Sequence, residues 1–307
     1  MVKKCLVLFS NGLDSRLVVK IMQKKEYEVT ALFFKLPFSK DAEKEVREFV
    51  EENKVKLKVF DCTKGKLLQE YLEVIKNAKF GRGAGINPCV DCKIFMLKKA
   101  KEFADDKGID LIATGEVEGQ RPMSQTKGKM EFIEEESGLK GKIIRPLSEF
   151  GAFGRRREKQ IQLAKKFNLE YPHPAGGCIL CERELRKRLS YLLERGLNTD
   201  EIKLVNVGRH FLIEDCWVVL GRDEVENKII EDVGRKIGIL IVPDYIGPSA
   251  LVLDKCDKRL LEIVKDLIKA YSKKGSCAPL GVSQRGTRPQ TAECRGKERE
   301  KFEGWKL

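Results

Sequence analysis

Apolar positions in the first half of the chain switch between two spacings. Runs at Cys5–Phe9, Val29–Phe34, Val55–Phe60 and Leu111–Thr114 have the length of buried strands. Between them, apolar residues recur at helical spacing over Ser15–Lys25, Ala42–Glu52, Leu67–Ala78 and Lys93–Asp106. This alternation predicts an α/β domain: a parallel sheet with helices on both faces, joined by right-handed crossovers. Ligands of such sheets gather beyond the carboxyl ends of the strands. Lys127-Gly128-Lys129 reads as a loop tip between extended segments, and Glu158–Lys166 as a closing helix. Tyr171-Pro172-His173-Pro174, followed by Ala175-Gly176-Gly177, breaks regular structure.

The second half is patterned differently. Glu182–Gly196 reads as an amphipathic helix, with Leu185, Leu189, Leu192 and Leu193 on one face. Arg183, Arg186, Lys187, Arg188 and Arg195 occupy the other face. Strand runs at Phe211–Ile213, Trp217–Leu220, Ile239–Val242 and Ala250–Leu253, mixed with helices, predict a small α+β C-terminal domain. From Ser272 the chain is rich in Gly, Ser, Pro, Gln, Lys and Arg, with nine basic residues against four acidic, and reads as a mobile basic tail. The expected divisions are 1–174, 175–200, 201–272 and 273–307.

Charge narrows the partner. Across 307 residues, 60 Lys+Arg stand against 47 Asp+Glu, a net charge of +13. That balance favours a polyanion, most simply nucleic acid, although a solvated surface on a highly charged protein (35% charged) explains it as well. No run approaches the length of a membrane span, and Met1-Val2-Lys3-Lys4 leads into a core strand rather than a secretory apolar region. A cytoplasmic protein is expected, where thiols stay reduced. Its ten cysteines then point to metal or sulfur chemistry rather than disulfides.

Two motif classes carry the candidate chemistry. Ser10-Asn11-Gly12-Leu13-Asp14-Ser15 lies between the first strand and the first helix, where backbone N–H groups and the helix dipole favour a phosphate. Gly12 permits close approach, Ser10 and Ser15 add hydroxyls, and Asp14 suits Mg²⁺ or a helix cap. The plainer reading is a capped helix after a strand. Thr114-Gly115-Glu116 falls at the same sheet edge. Cys89-Val90-Asp91-Cys92 and Cys178-Ile179-Leu180-Cys181 are two Cys-x-x-Cys pairs, and together they supply four thiolates for zinc or an iron–sulfur cluster. A structural zinc staple fits the spacing equally.

The hexapeptide resembles the Ser-Gly-Gly-x-Asp-Ser signature of the PP-loop ATP pyrophosphatases, an adenine nucleotide alpha hydrolase-like fold. Asn11 stands where that family has Gly, and Asn is the residue that best tolerates a left-handed turn after Gly. Gly85 to Phe95 is similar to the Asn-Pro-Asp-x-x-Cys-Asn segment of the tRNA 2-thiouridylases, with Cys92 at the first active-site cysteine and Cys89 in place of Asp. Ala113-Thr114-Gly115-Glu116 resembles their Ala-Thr-Gly-His, with Glu for His. Arg145-Pro146-Leu147-Ser148 resembles Phe-Pro-Leu-Gly, and Cys178 falls near the second active-site cysteine.

The resemblance, over about residues 1–182, implies an ATP-dependent tRNA sulfurtransferase. Residues 10–15, Thr114 and Gly115 would bind ATP, with Asp14 on Mg²⁺ and Cys92 and Cys178 in catalysis. A [4Fe-4S] cluster would be held by Cys89, Cys92 and Cys178, with Cys181 a fourth ligand or a helper thiol. Zn²⁺ is the alternative. Implied partners are tRNA and a sulfur donor, either inorganic sulfide or a cysteine desulfurase or carrier; a homodimer is left open. Val219–Lys228 and Gly247–Val252 resemble the NFACT-R RNA-binding domain, although Arg222-Asp223 reads equally as a turn and cap. Arg155-Arg156-Arg157 and the face near Arg186 would extend a track to phosphates. Two other readings remain: a PP-loop ligase using ammonia or an amine beside structural zinc, and a non-catalytic RNA-binding protein. Cys5, Cys62, Cys216 and Cys256 read as buried apolar residues, Cys277 and Cys294 have no evident role, and neither His173 nor His210 is read as a general base.

Overall fold

The computed structural model describes residues 3–172, 177–272 and 293–307. The chain divides into two units, Met1–Arg186 and Lys187–Leu307, so the second Cys-x-x-Cys pair belongs to the first unit.

In the first unit, strands β1 (Lys4–Leu8), β2 (Glu28–Lys35), β3 (Lys56–Asp61), β4 (Leu111–Thr114) and β5 (Ile143–Ile144) form a sheet in the order β3-β2-β1-β4-β5. Every pairing is parallel, as the alternation predicts. The two-residue β5 is too short to have shown as a periodic run. Side chains of β1 alternate between two cores. Cys5 and Val7 pack with helices α1 (Leu13–Lys24) and α2 (Glu43–Glu52) on one face, whereas Leu6 packs on the other. Helix α3 (Gly65–Lys76) packs against α4 (Cys89–Lys107), whose Val90, Ile94, Leu97 and Ala100 fill that second core.

Three elements differ from expectation. Lys127–Lys129 is not a loop tip but the first turn of α5 (Lys127–Glu136). Met130 and Ile133, three apart, are buried and hold that helix down despite Gly128. Helix α4 starts at Cys89 rather than Lys93, so its cysteines occupy the first turn and share a face. After the short α6 (Pro146–Glu149) and α7 (Glu158–Lys166), Ile179–Cys181 forms a single 3-10 turn. The basic helix, α8 (Arg186–Arg195), therefore begins four residues later than the 182 expected from its leucines.

The second unit carries an antiparallel sheet, β6 (Arg209–Ile213), β7 (Cys216–Leu220), β8 (Ile239–Ile241) and β9 (Ala250–Val252), in the order β6-β7-β9-β8. Helices α9 (Glu224–Ile237) and α10 (Lys258–Tyr271) accompany it. The basic face of α8 is only partly solvated. Arg195 is held by Glu201 and Asp254, both at 2.9 Å, and lies over Trp217, and Arg188 is half-buried. Residues 293–307 are not a free tail: α11 (Glu293–Glu303) packs against α10, and Phe302 is buried. Leu212 N–H donates to the Trp305 carbonyl (2.7 Å), and Leu307 N–H to the His210 carbonyl (3.0 Å). Composition hid this docking because two aromatics outweigh many solvated charges once they find a core. The stretch 273–292, with Cys277, and His173 lie outside the described residues. Cys5, Cys62 and Cys216 are buried as expected, while Cys256 is only half-buried.

His210 is fully buried between the Val207 carbonyl at Nε2 and the Trp217 indole N–H at Nδ1, both at 2.9 Å. Burial, aided by the nearby Arg188 charge, pushes its pKa down to about 3. The unfolded chain therefore takes up this proton below its ordinary pKa of 6.5 while the folded chain does not. Stability from this group is complete above pH 6.5 and falls as pH drops toward 3, by up to about 1.4 kcal/mol per pH unit. Urea unfolding of the wild type and of His210→Gln between pH 7 and 4.5 should show a shallower decline in the variant.

Candidate active site

β1 lies between β2 and β4, so the chain reverses its direction of travel across the sheet at this strand, and ligands gather at such a point. Ser10–Gly12 leaves the carboxyl end of β1, and Gly115 leaves the neighbouring end of β4, where Leu8 pairs with Thr114. A cleft of about 1230 Å³ opens there. It is lined by residues 10–15, by Thr114–Glu116 and by all four residues of the two cysteine pairs, Cys89, Cys92, Cys178 and Cys181.

The turn is built by side chains as much as by glycine. The left-handed residue is Asn11 (φ 66°), whereas Gly12 sits at φ −76° and needs no glycine-only conformation. The left-handed turn expected at Asn11 is therefore observed. The Ser15 hydroxyl donates to the Gly12 carbonyl (3.0 Å) and accepts from Ser10 N–H (3.2 Å), which closes the turn. Leu13 is buried in the core of this unit and also lines the cleft. Gly12 is the N-cap of α1 with no side chain bonded to the helix end, so first-turn N–H groups remain for an anion.

Asp14 does not cap the helix. Its Oδ2 accepts from Gln120 Nε2 (3.2 Å), and its Oδ1 is buried with no hydrogen-bond partner among the described residues. Burial pushes its pKa up, against the opposing pull of Gln120, Arg157, Gln160 and Arg121. An unsatisfied buried carboxylate oxygen in a cleft is the donor a hard cation takes.

Gly115 is required by close approach. A β-carbon there would stand 2.9 Å from the Asp14 carbonyl carbon and from Ser15 N, both backbone atoms. Glu116 is buried and pairs with Lys93 (3.2 Å) and with Arg145 (3.3 Å). Burial alone would raise its pKa, but Lys93 and Arg145 outweigh burial and hold it down. Sequence reasoning missed this network, although Lys93 directly follows Cys92 and Arg145 opens the Arg-Pro-Leu-Ser segment.

The two cysteine pairs meet through backbone. Ile86 N–H donates to the Leu180 carbonyl, and Ile179 N–H to the Phe38 carbonyl, both at 2.9 Å. A β-carbon on Gly85 would lie 2.2 Å from that Leu180 oxygen. Tyr71 Oη lies 3.4 Å from Cys92 Sγ, and Asn87 Nδ2 donates to Cys89 Sγ at 3.2 Å. Burial, reinforced by neighbouring sulfurs, pushes Cys92 up to about 11 and Cys178 up to about 12. Cys181, more exposed, is also raised, first by burial and then by Cys89. Left to themselves these thiols stay protonated. A bound cation reverses that balance by taking thiolate ligands. Among the described residues no three His, Cys, Asp or Glu side chains stand at metal-holding geometry. The gathered donor set, four soft sulfurs on one cleft, is what suits zinc or an iron–sulfur cluster.

In the second unit, Asp223 is the N-cap of α9, accepting from Glu226 N–H at 2.9 Å, and Arg222 is paired with Glu226. The turn-and-cap reading of these two residues holds. Asn227 Oδ1 accepts from Ser249 N–H (3.0 Å) and ties the helix to the Gly-Pro-Ser turn.

Residues 1–171 match the family model described as thiamine biosynthesis protein (ThiI). The chain belongs to the ThiI family. Residues 208–305 match the model of the NFACT protein RNA binding domain, which runs through the docked C-terminal helix. Among curated relatives of this ThiI-family chain, the tRNA-specific 2-thiouridylase MnmA of a Nitratiruptor species is 29% identical over 120 residues, 38% of this chain and 35% of that protein. The probable tRNA sulfurtransferase of Methanocaldococcus jannaschii is 30% identical over 149 residues, 47% of this chain and 36% of that protein. The chain thus spans about a third of the length of these relatives. A solved 4-thiouridine synthetase–RNA complex with bound ATP aligns with a TM-score of 0.43 and 16% identity, covering 82% of this chain and 55% of that one. Among the described residues no helix is long and apolar enough to cross a membrane.

Gly85→Ala should drive the 85–86 strap off Leu180 and cost about 1–3 kcal/mol by overpacking. Urea unfolding measures the loss, and mass-spectrometric alkylation should show Cys178 and Cys181 reacting faster than in the wild type.

Proposed function

We propose that this chain is an ATP-dependent tRNA sulfurtransferase that replaces a nucleobase carbonyl oxygen, that of uridine, with sulfur. The observation that carries the reading is that one cleft is lined both by the phosphate-suited turn 10–15 and by four cysteines. The ThiI family match supports sulfur chemistry, and the RNA-binding model over residues 208–305 supports an RNA acceptor.

The residues divide the work as follows. The free N–H groups at the start of α1, with Ser10 and Ser15 shaping the turn, bind the β- and γ-phosphates of ATP. Asp14, through its unsatisfied Oδ1, would hold a Mg²⁺, which would supply positive charge against the phosphates. Arg121 and Arg157, which line the same cleft, neutralise further phosphate charge. Gly115 lets the end of β4 close on the first turn of α1, and Thr114 and Glu116 fix the end of β4. The uridine oxygen attacks the α-phosphorus and pyrophosphate leaves, so the base carries AMP on that oxygen. Hydrosulfide then adds to the same carbon and AMP departs with the oxygen, leaving a thiocarbonyl. The chain's part is to position the partners and neutralise charge.

Cys89, Cys92 and Cys178 would hold a [4Fe-4S] cluster, with Cys181 a fourth ligand or helper thiol and Zn²⁺ the alternative metal. When bound, a cluster with an open iron supplies a place to carry hydrosulfide, whereas zinc with four thiolates supplies only structure. The sulfur itself comes from inorganic sulfide or from a cysteine desulfurase or carrier.

Deleting the gene and analysing tRNA nucleosides by mass spectrometry should reveal one missing thiolated base, restored by the wild type but by neither Cys92→Ala nor Cys178→Ala. Unchanged thionucleosides would contradict the reading. Anaerobic purification should yield about four iron per chain, whereas stoichiometric zinc would favour a structural site. Asp14→Asn should slow tRNA-dependent pyrophosphate release on the order of 100-fold.

A further inference from the structure

The position that departs from the expected glycine pattern is not idle. The Asn11 side chain is buried (4% exposed), and its Oδ1 accepts two bonds from one guanidinium, Arg16 Nη2 at 2.7 Å and Nε at 3.1 Å. Arg16 Nε also reaches the Asn11 carbonyl at 3.1 Å. The guanidinium is itself fixed from two other sides. Nη1 donates to the Glu170 carbonyl (2.9 Å), and the group lies 4.6 Å over the Phe49 ring.

This arrangement decides which way the amide points. Arginine only donates, so the face of Asn11 toward Arg16 must be its oxygen. The amide nitrogen is thereby directed away from Arg16. Among the described residues it donates to no protein acceptor, yet Asn11 lines the cleft beside the free first-turn N–H groups of α1. A glycine at this position would take the same left-handed backbone and keep the carbonyl that Arg16 reaches, but it would bring no side-chain donor and would lose both guanidinium bonds to Oδ1.

We infer that Asn11, oriented by Arg16, is an additional donor to the terminal phosphates of a nucleoside triphosphate, and that Arg16 is a positioning residue for it. This rests on the nucleotide reading above and deepens it: the turn is rebuilt around Asn11 rather than weakened by it. Two hydrogens of a fixed amide add to the backbone donors already aimed at the anion.

Asn11→Asp separates this role from a structural one. Aspartate keeps the shape, tolerates the left-handed backbone and keeps both bonds to Arg16, but it replaces the NH₂ with a carboxylate oxygen. Calorimetric titration of the full-length chain with Mg²⁺–ATP and with AMP reads the difference. Asn11→Asp should bind ATP at least about 30-fold more weakly, Asn11→Gly and Arg16→Met about 5- to 10-fold more weakly, with AMP affinity within about twofold of wild type throughout. Arg16→Lys should not rescue, because an ammonium does not make the forked contact to one amide oxygen. Thermal unfolding without nucleotide checks that each variant is folded.

The inference is overturned if folded Asn11→Asp binds ATP within twofold of wild type, or if ATP and AMP lose affinity equally, which would mark a purely structural turn. An Arg16→Met chain with wild-type ATP affinity removes the positioning role. If the wild-type chain binds AMP and ATP alike, the phosphate contact is absent. If it binds neither, the nucleotide reading itself fails and this inference falls with it.

Discussion

The candidate site depends on backbone meeting backbone where no side chain fits. At Gly115 the end of β4 touches the first turn of α1, and at Gly85 the segment leading into α4 touches the Leu180 carbonyl. A close-packed interior does not absorb an added methyl at such points without moving a whole element. The first contact brings the fourth strand's loop up to the phosphate-suited turn. The second brings two cysteine pairs, separated by more than eighty residues of chain, to the wall of the same cleft. Chemistry that needs an activated oxygen and a sulfur source side by side is served by both contacts together.

Electrostatics within the cleft pull in opposite directions. Burial pushes up the pKa of Asp14 and of Cys92, Cys178 and Cys181. Glu116 is buried more deeply yet stays charged, because Lys93 and Arg145 both face it. A buried carboxylate paired with two cations is held in place by them. The unsatisfied acid and thiols are groups that gain by meeting cations. The cleft thus combines a buried carboxylate that is already paired with an acid and thiols that a cation would engage.

Much of this was legible in sequence because it is local or periodic. The strand–turn–helix order located residues 10–15, and alternation gave the parallel sheet with its loops at one edge. The second unit's four strands appeared in place for the same reason. What escaped notice was carried by few residues or by long-range contact. Phe302 and Trp305 dock a segment whose composition suggested a free tail. Met130 and Ile133 anchor a helix across an apparent loop. The Glu116 network joins positions 93, 116, 134 and 145, which no local window spans. Arg188 and Arg195 looked solvated by helical spacing but are drawn into their own unit, because amphipathic faces show where a helix is polar and not what lies against it.

The central claim is that nucleotide and cysteines share one cleft. Alkylation rates of individual cysteines, followed by peptide mass spectrometry with and without α,β-methylene-ATP and Mg²⁺, address it directly. The account predicts that bound nucleotide slows alkylation of Cys89, Cys92, Cys178 and Cys181 while leaving Cys256 unchanged. Nucleotide that binds and alters none of those four rates would contradict it.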